Sequence, residues 1–144
     1  MLQPKIIKNT KEADDNIESL QVIISSLFSL KAKVYNFMCN VSGPTSIQDK
    51  SIYKEILKES SESLHCLGMN IKMLGGDVIS DLISHSRLSV IEEADGESDS
   101  STMALSIAKS LDDLYNFCEK VDVDEVDEVK EMCQKNSYIL QSSR

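Results

Sequence analysis

Apolar side chains recur every three or four positions along four stretches of this chain, the spacing of one helical face. In the first, about Asn9 to Cys39, Ile17, Leu20, Ile24, Leu27, Val34 and Met38 make the stripe. Asn9 or Thr10 is placed to cap it, and acids fill its first turns, where the helix dipole favours them. Ser42-Gly43-Pro44 ends it, because Gly suits the left-handed position after a helix and Pro cannot continue one. The second runs from about Ser46 to Leu74, with Tyr53, Ile56, Leu57, Ser60, Leu64, Leu67, Ile71 and Leu74 on one face, and stops at Gly75-Gly76. The third, about Ser101 to Lys120, repeats Ala104, Ala108, Leu111, Leu114, Tyr115 and Cys118; the fourth, about Val123 to Gln141, uses Val126, Val129, Cys133 and Leu140. Only a short acidic turn separates the last two, which predicts antiparallel neighbours.

The connection from Gly75 to Ser100 is too long for a hairpin and holds its own apolar patch, VISDLISHSRLSVI, which predicts a short helix on the way. The acidic, Ser-rich run EEADGESDSS after it reads as a solvated loop. One long crossover in an otherwise short-looped bundle is the ferritin-like arrangement. An extended crossover gains about 3.3–3.6 Å per residue, ample to return along a helix of this length. The predicted fold class is therefore all-α: a ferritin-like four-helix bundle with a short helix in the crossover between its second and third helices.

Composition narrows the partners. The chain has 144 residues, a size that fits one domain over 1–144, and only five Gly and two Pro, which favours long helices. A net charge of -9 argues against nucleic acid. The early lysines Lys5, Lys8 and Lys11 are followed at once by Asp14, Asp15 and Glu18, so they read as a solvated terminus, not a basic arm. No apolar run reaches eighteen residues and the first ten hold no signal-peptide core, which predicts a cytoplasmic protein with no membrane partner. Cys39, Cys66, Cys118 and Cys133 are far apart with no Cys-x-x-Cys pair, and are expected to be buried thiols among apolar residues.

Two phrases carry a family likeness. YNFMCNVSGP closes the first helix, and LGMNIKMLGG closes a second helix of about thirty residues. With Asn40, Val41, Gly43 and Pro44 in the first phrase and Leu74, Gly75 and Gly76 in the second, the chain resembles the Dps-like branch of the ferritin superfamily. The spacing between the phrases fits, and the likeness extends over most of the chain, to the crossover helix and to Tyr138 near the end of the last helix. The resemblance implies hollow spherical dodecamers that oxidise ferrous iron, often with peroxide, and store the product. It implies a ferroxidase site at a twofold interface, built from two histidines and an acid of one subunit and an Asp and a Glu of the other.

Counted from Gly43, this chain departs at each ligand position. Met38 and Lys50 stand for the two histidines, Lys54 for the acid, and His65 and Met69 for the Asp and the Glu. Iron favours carboxylate and imidazole donors, and two lysines repel a cation, so a family-type ferroxidase centre is not expected. The expected role is a passive metal-sequestering or structural shell, or one that co-assembles with an active paralogue. Other chemistry is conceivable at the same residues. Glu62 and His65 form a Glu-x-x-His pair of the kind used inside di-iron bundles, but no second such pair exists. Met38, His65 and Met69, with Cys39 or Cys66, would form a soft site across the interface suited to Cu(I) rather than iron, or simply fill space. His85, in the crossover, reads as structural. In the acidic run EKVDVDEVDEVKE, Asp122, Asp124 and Asp127 are candidates for the threefold pores that the resemblance implies, although acids at a helix start need no function. A third reading is a helical interaction module that forms no cage.

Overall fold

A computed structural model of the chain describes residues 10–94, 96 and 99–142. Lys5, Lys8 and Asn9, and Asp95, Glu97 and Ser98 of the acidic run, lie outside the described residues. The described residues form helices α1 (Thr10–Asn40), α2 (Ser46–Met73), α3 (Leu82–Leu88), α4 (Ser100–Cys118) and α5 (Val126–Ser142). The four long segments and the crossover helix are those the hydrophobic spacing predicts. The main difference is that α5 starts at Val126, after Val123 and Asp124 have turned the chain by accepting backbone bonds from Val126 and Asp127, 3.0 Å each.

The core is one cluster fed by all four long helices, with Leu20, Leu27, Phe37, Tyr53, Leu67 and Leu111 fully buried within it. Each fully buried aliphatic side chain contributes about 1.5–3 kcal/mol. Helix α1 buries a wider face than the predicted stripe, because Ile23, Leu30 and Phe37 are buried as well. It packs on α2, α4 and α3, so it is central to the bundle.

Direction follows from the contacts. Gly43 takes φ +112, a left-handed conformation that an L side chain rarely adopts. This turn brings Ser42 O against the start of α4, where Ser100 N donates to it at 3.2 Å. Helix α4 therefore begins where α1 ends, antiparallel to α1 and parallel to α2, and the crossover has carried the chain back along the bundle. Polar residues of α1 strap the crossover down. Gln21 Nε2 donates to Asp77 O, Ile79 N donates to Gln21 Oε1 at 3.3 Å, and Val90 N donates to Ser26 Oγ at 3.0 Å. Gln21 and Ser26 are buried polar residues that satisfy these crossover backbone groups, which an apolar side chain there would leave unpaired.

The expectation of four buried thiols is corrected. Cys118 and Cys133 are buried, but Cys39 and Cys66 are exposed. Each exposed cysteine sits next in sequence to a stripe residue, and one step along a helix turns the side chain by about 100°. Cys39 follows half-buried Met38, and Cys66 precedes buried Leu67. Local apolar neighbours in sequence were misleading; the helical phase decides.

Candidate functional site

The α1–α2 turn is built to be rigid. A Cβ on Gly43 would stand 3.0 Å from Ser100 Oγ, so both the conformation and the space call for glycine. Thr45 Oγ1 lies 3.0 Å from Asp49 Oδ2 and 3.1 Å from Ser100 Oγ, tying the turn to both following helices. Asp49, the first carboxylate of α2, is buried and committed to this turn. Met38 is half-buried against the core, while Lys50 and Lys54 are exposed on α2. At the three positions where the resemblance expects ligands, this end carries one thioether and two ammonium groups, which do not fit iron.

Glu62, His65 and Met69 are exposed near the other end of α2. From Ser46 to His65 is roughly five turns, on the order of 28 Å along the axis. Since α1 and α2 are antiparallel around the turn, Met38 does not meet His65 or Met69 within one chain; only two copies could bring them together. Glu62 and His65 do share a face, but it points to solvent. The inward face at the same level carries Ser60, Ser63 and Leu67, all buried. An internal di-iron site on the Glu-x-x-His pair is therefore ruled out by the phase of the helix. Among the described residues, no group of three or more His, Cys, Asp or Glu is spaced to hold a metal ion.

The bundle interior instead holds a lysine that the sequence reading passed over. Lys33 is 4% exposed, and its Nζ donates to Ser110 Oγ of α4 at 2.8 Å and lies 6.0 Å from the centre of the Phe37 ring. The signal was available: Lys33 lies three residues after Leu30 and four before Phe37, inside the apolar face.

His85 is structural. It is buried, its Nδ1 lies 2.7 Å from Ser25 Oγ, and its ring centre is 4.6 Å from that of Phe28. Asp81 caps α3 by accepting from Ser84 N at 2.9 Å and Ser84 Oγ at 2.8 Å, which holds its carboxyl below the usual range. At the α4–α5 turn Asp122, Asp124 and Asp127 are all exposed and line one hollow with Glu119, Lys120 and Lys130. Lys130 Nζ sits 3.3 Å from Glu119 and 4.0 Å from Asp127, so part of the acidic charge is already answered. Bonds from the Tyr115 hydroxyl and from Lys130 lower the Glu119 carboxyl.

No protein-family model and no curated protein matches the chain. Solved structures do. The structure of a Dps protein from Bacillus brevis is 20% identical, with a TM-score of 0.83 over 95% of this chain and 99% of that one. Antigen TpF1 from Treponema pallidum is 14% identical, with a TM-score of 0.89 over 99% and 98%. A Dps protein from Vibrio cholerae, described as a member of a broad superfamily of ferritin-like diiron-carboxylate proteins, is 10% identical, with a TM-score of 0.86 over 99% and 98%. At such identities the likeness shows the fold alone, and this chain has a Dps-like, ferritin-like helical fold.

Proposed function

We propose that this chain is the subunit of a closed Dps-like shell that sequesters iron as cargo, or walls it off, without a family-type ferroxidase centre. The observation that carries the reading is the pairing of a fold matched over nearly the whole length of both chains with lysines at Lys50 and Lys54. The scaffold is kept where the donor chemistry is not. Self-association is supported by apolar surface left on α3, where Leu82 is 76% and Ile83 65% exposed. Side chains of this kind in one short helix are usually covered by a partner. A twelve-subunit assembly is the form this fold's resemblance implies, and Asp122, Asp124 and Asp127 are the residues proposed to line its cation entrances. The net charge of -9 disfavours DNA as cargo or ligand. Oxidation is left to slow chemistry on interior carboxylates or to an active paralogue in the same shell, in the cytoplasm.

Two measurements test this. Native mass of the purified chain is expected to give a large closed oligomer; a monomer or lone dimer would mean an interaction module instead. Ferrous iron oxidation, with oxygen and then with peroxide, is expected to run no faster than a protein-free control. A clear acceleration with a soluble iron core would overturn the loss of the centre and make Glu62, His65 and the acidic α4–α5 turn the first residues to mutate.

A further inference from the structure

The last turns of α2 carry a run of soft donors that packing does not explain. His65, Cys66, Met69 and Met73 are all exposed, Met69 by 52% and Met73 by 74%. Methionine and free cysteine are ordinarily interior residues, and this chain uses Met103 and Met132 in that way, both buried. Helical geometry makes Met69 the hub of the exposed group. His65 is four residues before it, Cys66 three before and Met73 four after, each one turn away with Cβ atoms about 5–6 Å apart. Long, unbranched methionine side chains can close such a gap around a single ion.

We infer that this face of α2 binds one copper(I) ion, with the Met69 thioether at its centre and His65, Cys66 and Met73 as co-ligands. Thioether, imidazole and thiolate donors select a soft monovalent metal over iron. Binding takes the Cys66 thiol as thiolate and releases its proton. The charges nearby permit a cation. Lys54 is roughly 16 Å before His65 along the axis, and Lys50 is further, both beyond the Debye length of about 8 Å at physiological salt. Lys58, two turns before, is offset by Glu62, one turn before. Lys72, on the same stretch, is held in an ion pair by Asp77. Met38, on α1 near the turn into α2, takes no part. All four ligands belong to a single chain, and binding requires this face to stay open to solvent rather than meet Lys50 and Lys54 of a second copy across the twofold interface that the resemblance implies.

The test uses the full, reduced chain, titrated anaerobically with Cu(I) against a chromogenic Cu(I) chelator. One equivalent per chain is expected to leave the chelator, and the methyl signals of Met69 and Met73, labelled with carbon-13, are expected to shift while those of Met38, Met103 and Met132 stay. Met69→Leu keeps the helix and the side-chain volume and is expected to weaken uptake by at least about tenfold. Three results would overturn the inference. The first is that the chain withdraws no copper; the second, that uptake survives Met69→Leu but vanishes in the Cys39→Ser/Cys66→Ser double variant, which would mean thiols alone; the third, that the Met38 methyl shifts together with Met69, which would mean a site shared by two copies. Native mass, read on the same samples, keeps a failure of the copper site apart from a failure of the shell.

Discussion

The two histidines of this chain sit in opposite circumstances. His85, on α3, is buried, hydrogen-bonded to Ser25 and stacked at a tilt on Phe28. His65, on the outward face of α2, is exposed, and among the described residues it makes no hydrogen bond or ion pair. A histidine whose ring nitrogen and ring face are both committed serves the fold, and its donors are not available to a ligand. A histidine that serves no packing role, beside an exposed cysteine and two exposed methionines, is free to bind. The α1–α3 side therefore carries stability, and the end of α2 is where the proposed copper chemistry would sit.

The comparison breaks first at His85. His85→Ala removes the partner of a buried hydroxyl and leaves a cavity beside Phe28, so it is expected to cost about 2–4 kcal/mol in denaturant unfolding. A loss below about 0.5 kcal/mol would show that α3 is held by its neighbours alone and that the two histidines do not differ as described.

The cysteines repeat the contrast. Burial pushes the Cys118 thiol up to about 12 and Cys133 well above its ordinary value, while Cys39 and Cys66 are exposed. In the unfolded chain all four ionise from about pH 8.5 upward. The native state keeps two of them protonated, so the unfolded state sheds protons first, and stability falls as pH rises from about 8.5 towards 12. The melting temperature is expected to decline over that window, and less steeply in Cys118→Ala measured against its own neutral value. Native thiol labelling is expected to modify Cys39 and Cys66 quickly and to leave Cys118 and Cys133 until the protein unfolds.

Gly43 sharpens the comparison at the turn that sets the bundle's direction. Gly43→Ala forces a methyl group into a left-handed conformation and to within 3.0 Å of Ser100 Oγ. The expected cost is about 1–2 kcal/mol. An unchanged denaturation midpoint would mean that the turn relaxes, and that the register of α4 against α1 is set by Lys33 and Ser110 instead.

How much of this was readable in the sequence depends on the kind of signal. Helices with period-3.6 stripes were legible because burial acts on every third or fourth residue, and many residues vote together. The return of α4 to the α1–α2 turn was legible from one long connection and one Gly-Pro. Single residues were harder. Lys33 is interior although its type predicts surface, because Ser110, far away in sequence, receives it together with the Phe37 ring one turn on. Cys39 and Cys66 looked buried because their sequence neighbours are apolar, yet the helix turns them outward. The pairing of Met38 with His65 and Met69 depends on a second copy, which no pattern within one chain can fix. Met73 lies off the stripe and carries no sequence signal of its own; only its exposure marks it as a donor.

The smallest expected effect on stability is the most telling. His65→Gln removes the imidazole from an exposed helix position, where surface substitutions stay within about 0.5 kcal/mol. Gln also keeps a good helix propensity, so α2 should form as before. The denaturation midpoint is expected to stay in place while Cu(I) affinity falls. A variant silent in unfolding and weakened in metal uptake separates chemistry from architecture at this face. If instead His65→Gln lowers stability as His85→Ala does, then His65 is packed against something in the assembled protein, and the end of α2 is an interface between copies.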